Sequence, residues 1–248
     1  MKAFWARLAV YLVLLMTVAG TGMLRAEDAS GDGGVKGDNA EAASARQVIE
    51  QTTQRVMSII TEARGYFDKD PNRFYGEIDK VLEDVVDFDG FARGVMGKYA
   101  SKQMYMSLRT KDEKKHFIAS MRRFSDTFKD GLVHTYAKGL LAFSGNRIEI
   151  LPVAEKSPSG HSVTVVQNIY GEAEKPYVVQ YKMRRDRDGK WKLRNVTIEA
   201  INLGKVYRSQ FASAAKQYNG DIDKVIDNWS VDPTATAKSE TAVSPGSG

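Results

Sequence analysis

No cysteine occurs anywhere in the 248 residues, which excludes disulfides, thiolate nucleophiles, cysteine-held metals and a lipid-modified cysteine anchor. Histidine is almost as scarce. Only His116, His134 and His161 are present; none has a second histidine at metal-ligand spacing, and the acids follow no HExxH or EF-hand pattern. His134 falls on an amphipathic helical stretch, where a histidine without a positioned partner reads as a polar edge rather than a general base. Phosphate loops are missing too, because the Gly94-Val95-Met96-Gly97 run lacks the glycine spacing and terminal Lys-Ser/Thr that converge amides on phosphate. Nor is there a long hydrophobic run: the apolar stretch from Leu8 to Ala19 is too short to span a bilayer comfortably.

That stretch follows Lys2 and Arg7 and precedes small residues, with no acid before Glu27, so residues 1–26 read as a secretory signal peptide cleaved near Ala26, with Gly20 or Gly22 as alternatives. Removing Lys2, Arg7 and Arg25 takes the formal charge from +5 to +2. A near-neutral exported domain has no nucleic acid as partner, and the clusters Lys111 to Lys115 and Arg184 to Arg187 read as solvated faces or an anionic-headgroup contact. Residues 27–40 and 232–248 are small, polar and rich in Gly, Ser, Thr, Ala or Pro, and are expected to be a disordered linker and tail. Between them, residues 41–231 form one domain with 42% hydrophobic and 10% aromatic content over the whole chain, enough for a sizeable core.

The first half of that domain has helical periodicity. Val48, Ile49, Val56, Ile59, Ile60, Ala63 and Phe67 share one face, and after Asp70-Pro71 the pattern resumes with Phe74, Ile78, Val81, Leu82 and Val85. Thr110 and Glu113 make a capping box that opens a helix through Phe117, Met121, Phe124 and Phe128. Past Phe143 the period falls to two. Residues 147–151, 162–170 and two strands around the Asp188-Gly189 turn predict a four-stranded antiparallel meander, and helices return at Leu203–Tyr218 and Asp221–Trp229. The fold class is α+β, a curved four-stranded sheet against a multi-helix layer.

Large apolar side chains exceed what a core of this size needs. Val95, Met96, Tyr99, Phe124, Phe128, Leu132, Tyr136 and Leu140 stand on the helical side; Val163, Val165, Val179, Tyr181, Met183, Val196, Ile198 and Ile201 stand on the strands. The residues alone leave two readings open, a packed core or a cavity wall.

Tyr181, Met183, Arg184, Gly189 and Trp191, running into Tyr207, Arg208, Gln210 and Phe211, resemble a pattern of the MlaC/Ttg2D family of periplasmic phospholipid-binding proteins. Upstream, Phe91 to the Gly97-Lys98-Tyr99 segment and the stretch from Phe117 to Tyr136 resemble it too, so the likeness extends from about Val48 to Trp229. Two positions depart from the family pattern: Ala100 stands where Trp is usual, and Asn195 where Asp is usual.

The resemblance implies a hydrophobic cavity between sheet and helices. Its wall would be the sixteen residues above with Tyr207 and Phe211, and Arg208 is the candidate for the lipid headgroup. It further implies phospholipid as cargo with no cofactor or metal, no catalysis, a monomer in the periplasm, and two partners. These are an inner-membrane complex of MCE-domain and ABC transporter subunits and an outer-membrane lipoprotein complex, between which the carrier maintains outer-membrane lipid asymmetry. The alternatives are a small-molecule enzyme or a ligand-free adaptor on a similar curved sheet. An enzyme would need convergent titratable groups in the cavity; a carrier needs an apolar interior.

Overall fold

The computed structural model describes residues 33–141, 147–153, 155–156, 161–171 and 175–231. The expected signal peptide (1–26), residues 27–32 and the expected tail (232–248) lie outside the described residues.

Each α-helix after the first starts at a side chain that satisfies an orphan amide. After α1 (Gly33–Ala63), Asp70 accepts from the Arg73 amide at 3.1 Å with Pro71 at the first position of α2 (Pro71–Val85). Asp87 accepts from the Gly90 amide at 2.6 Å and opens α3 (Phe88–Met96), which runs into a 3-10 turn (Gly97–Ala100). Ser101 caps the short α4 (Lys102–Ser107). The long α5 (Lys111–Leu141) begins with the expected capping box: Glu113 N–H donates to Thr110 Oγ1 at 3.1 Å and Thr110 N–H to Glu113 Oε2 at 2.8 Å. One expectation needs correction here. Residues 33–40, read as linker, are the first turns of α1, because extending an existing helix adds a backbone bond per residue and overrides weak local propensity.

The sheet comprises β1 (Arg147–Ile150), β2 (Glu155–Lys156), β3 (Ser162–Tyr170), β4 (Tyr177–Arg185), β5 (Trp191–Ile198) and β6 (Ile201–Asn202). It is open and antiparallel in the order β1-β3-β4-β5-β6, with β2 also on β3. β1 and β2 lie along one side of β3 as a broken strand. Leu151 still donates to Val166 O at 2.9 Å, and Pro152, which has no amide hydrogen, interrupts the ladder there. The four-stranded expectation is therefore too small. It omits β6, a two-residue pairing beyond a turn where Glu199 adopts φ 54°, and it treats the broken edge as one short strand. β4 and β5 are joined by a turn in which Gly189 takes φ 78° and Asp186 Oδ1 accepts from the Asp188 and Lys190 amides.

Alternation sends Val163, Val165, Gln167 and Ile169 of β3, and Val179, Tyr181 and Met183 of β4, to one buried face. On β5 the alternation slips: Lys182 faces Asn195 but Met183 faces Leu193, leaving Arg194 as the extra residue of a β-bulge. α6 (Leu203–Gln217), capped by Asn202, and α7 (Ile222–Asp227), capped by Asp221, then cross back to the helical layer.

Two apolar regions follow from this layout. Between α3, α5, α6 and the end of α7 lies an aromatic cluster: Phe91 to Phe128 (ring centroids 5.3 Å), Phe128 to Tyr207 (5.4 Å), Phe124 to Phe211 (4.9 Å) and Phe124 to Trp229 (5.2 Å). The other region lies between the sheet and α1, α2 and α5, and it contains a cavity.

Candidate functional site

α1 supplies Ile49, Thr52 and Thr53 to the cavity wall, and α2 with the residue that follows it supplies Ile78, Leu82, Val85 and Val86. Phe88 and Phe91 come from α3; Leu132, Val133, Tyr136, Ala137 and Leu140 from α5; Tyr181, Leu193 and Val196 from the sheet; Leu203 from α6. No carboxylate, amine, guanidinium or imidazole is among these residues. The polar atoms of the wall are hydroxyls, and three of the four are committed. Thr52 donates to Val48 O at 2.7 Å, the Tyr136 and Tyr207 hydroxyls meet at 2.5 Å, and Tyr181 donates to Gln167 Oε1 at 2.5 Å. Burial pushes the Tyr181 phenol far above its ordinary value, so it stays neutral at every physiological pH. Such a surface binds by exclusion of water and offers no acid or base to a substrate.

Of the residues named from sequence, Leu132, Tyr136, Leu140, Tyr181 and Val196 line this cavity. Phe124, Phe128, Tyr207 and Phe211 sit in the aromatic cluster, and the half-buried Tyr99 stacks on Phe211 at 5.8 Å. Val163, Val165, Val179, Met183 and Ile198 are buried on the sheet's inner face, and Val95 and Met96 on α3, in the core outside the lining; Ile201 is half-buried. The α1 and α2 contributions were missing from the sequence reading. Their signal was visible as apolar stripes, but a stripe does not say whether it faces another helix or a void.

Arg208, the headgroup candidate, lies exposed across α3, where its Nε donates to Gly94 O at 2.7 Å, and so ties α6 to the last turn of α3. Asn195 accepts from the Gly204 amide and donates to Asn202 Oδ1, both at 2.9 Å, so it organises the start of α6. The histidines do other work. His134 Nδ1 meets Asp130 O at 3.0 Å with its ring 4.5 Å from that of Tyr75, and His116 Nε2 is 2.8 Å from Asp223 Oδ2. Among the described residues there is no cluster of metal-ligating side chains, and no helix is long and apolar enough to cross a membrane.

Comparison with known proteins agrees with this geometry. A solved structure of the phospholipid-binding protein from Ralstonia solanacearum, in complex with a phospholipid, superposes with a TM-score of 0.58 at 18% identity, over 79% of this chain and 98% of that one. The two share the fold. The toluene tolerance protein Ttg2D of Pseudomonas putida is 31% identical over 205 residues, 82% of this chain and 87% of that protein. The family model described as MlaC protein matches residues 50–231, the segment that carries the sheet and all of the cavity wall but Ile49, and the chain therefore belongs to the MlaC family.

Proposed function

We infer that this protein is a phospholipid carrier that holds acyl chains between its sheet and its helical layer. The observation that carries the reading is the cavity wall, which is predominantly apolar and holds no carboxylate, amine, guanidinium or imidazole. Membership of the MlaC family, and the phospholipid-binding protein whose fold the chain shares, support it. A diacyl lipid with ~30 methylenes, at about 0.8 kcal/mol each, needs on the order of 24 kcal/mol to enter water. A carrier that replaces one apolar environment by another removes that barrier without doing chemistry. On this reading the protein is exported by its N-terminal segment and works in the periplasm as a monomer. It passes lipid between an outer-membrane lipoprotein complex and an inner-membrane MCE-domain/ABC transporter complex, which maintains outer-membrane lipid asymmetry.

The cavity measures about 80 Å³. Sites for drug-sized ligands run to roughly 300–1,000 Å³. Loading therefore requires the sheet and α1, α2 and α5 to move apart, and the described state is the closed one. Organic extraction of protein purified from the periplasm, followed by lipid mass spectrometry, tests the reading. Phospholipid in stoichiometric amount is expected. Folded protein that carries no lipid and takes none up from detergent micelles would overturn it.

A further inference from the structure

We propose that the basic groove on the far side of Phe91 is a phosphate-binding subsite, placed to hold the phosphate of the lipid whose tails occupy the cavity. The proposal rests on the carrier reading and adds a second, chemically distinct site to it.

The groove measures about 340 Å³ and is lined by Lys182, Arg184, Arg194, Lys205 and Arg208, with no carboxylate in its lining. Five like charges around one concavity repel one another and focus a positive potential into it, an arrangement relieved by a bound anion. Asp87 answers only one of them. Its Oδ2 lies 2.9 Å from Arg194 Nε, while its Oδ1 is taken by the Gly90 amide. Among the described residues, Lys182, Arg184 and Lys205 have no ion-pair partner, and all three are exposed.

Local structure is arranged around Arg194. It is the unpaired residue of the β5 bulge, which turns its side chain and that of Asn195 to the same side, and both line the groove. The guanidinium lies against Gly90, where an added Cβ would come within 1.6 Å of Nη1. A side chain at this position would displace it. Held by Asp87 on one edge, the planar fork is pre-oriented for a tetrahedral oxyanion, which bidentate guanidinium contacts suit better than a carboxamide or a neutral headgroup would.

Position ties the anion to the lipid. Phe91 lines both the cavity and the groove, and the chain crosses between them twice at adjacent residues: Asn195 in the groove with Val196 in the cavity, and Gly204 in the groove with Leu203 in the cavity. One residue's thickness of backbone and the Phe91 ring separate the two spaces, so a phosphate joined through glycerol to tails in the cavity reaches the groove when the movement that admits the tails parts this wall. Free inorganic phosphate has the same oxyanion chemistry but no need of that adjacency.

The test uses the delipidated full chain loaded from non-ionic detergent micelles with either a phosphatidylglycerol or the diacylglycerol of the same acyl chains, and separately titrated with inorganic phosphate by calorimetry. The wild type should hold the phosphate-bearing lipid at least about tenfold more tightly, since several charge-assisted contacts are at stake. In Lys182→Gln/Arg184→Gln, both at exposed positions, the ratio should fall towards one through loss on the phosphatidylglycerol arm. Arg194→Lys, which keeps the charge and loses the fork, should lower the ratio by an intermediate factor. An unchanged ratio with normal loading of both lipids overturns the subsite alone and leaves the groove to an acidic partner surface. Failure of the wild type to load either lipid overturns the carrier reading and the subsite with it. Inorganic phosphate binding that the double variant abolishes, with the lipid ratio unchanged, overturns the headgroup assignment in favour of a free anion.

Discussion

At the scale of single residues, the buried polar contacts mark where substitution has a predictable sign. Gln167 is fully buried on β3, and its amide oxygen accepts from Tyr181. Tyr181→Phe removes that donor from a dry site, and about 1–2 kcal/mol of stability should be lost in urea titration with the fold retained. A second case lies at the α1–α2 junction. Glu77 is held below its usual 4.5 by hydrogen bonds from the Tyr66 hydroxyl, at 2.5 Å, and from Arg73 Nε, at 2.8 Å. Burial, with the bond to Glu77, pushes the Tyr66 phenol up to about 12. A lowered carboxyl contributes stability that is whole above its unfolded value and lost as pH falls through its folded one. A raised phenol contributes stability that is whole below its unfolded value and lost as pH climbs towards its folded one. Glu77→Gln should thus lower the melting temperature at neutral pH by a few degrees, and calorimetry should show the gap to wild type closing as pH falls through and below the usual carboxylate range. A gap that persists unchanged in acid would mean that the carboxylate charge contributes nothing at this junction.

At the scale of elements, the joint between α3 and β5 depends on a missing side chain. Because a Cβ on Gly90 would overlap the Arg194 guanidinium, Gly90→Ala must swing that flexible end aside and weaken the pair with Asp87, at a cost of about 0.5–1 kcal/mol. Gly76, in the middle of α2, is the contrast: a Cβ there meets nothing within 4 Å, so Gly76→Ala should stabilise by about 0.5–1 kcal/mol. Chemical denaturation of the two variants checks both signs. Much at this scale was legible in the sequence. Asp70-Pro71, Thr110 with Glu113, and Asp221 announce helix starts by local chemistry, and they cap the helices observed. The long strands were legible for the same reason, since period-two burial is local. What escaped was set by partners distant in sequence: the two-residue β2 and β6, which exist only through their neighbours, and the bulge at Arg194. Its trace in the sequence is the three-residue step from Leu193 to Val196, where inward-facing positions otherwise recur at two. The cavity escaped in part for the same reason. Ile49, Ile78 and Leu82 share helical stripes with residues that pack helix on helix, and only the assembled layers separate the two groups.

At the scale of the whole molecule, the carrier reading makes the closed form and the loaded form competitors for one space. A void of about 80 Å³ in an apolar core destabilises the closed form by about 2 kcal/mol, taking roughly 24 cal/mol per Å³. That penalty keeps the closed form from becoming a trap, since a core packed without a gap would have to be broken open before any tail could enter. Ala137 on α5 faces the void and is 2% exposed, so Ala137→Leu adds three carbons where there is room for them. The delipidated variant should melt several degrees above wild type, as expected for about 1 kcal/mol gained by filling the gap. The same free energy must then be overcome on opening, so lipid affinity should fall by about fivefold or more, and mass spectrometry of extracts should find less lipid per protein. A higher melting temperature with undiminished lipid content would place the cargo outside this cavity. A lower melting temperature would mean that the void cannot accept a larger side chain without strain, and the lipid content of the same variant would then show whether the wall is shared with the cargo.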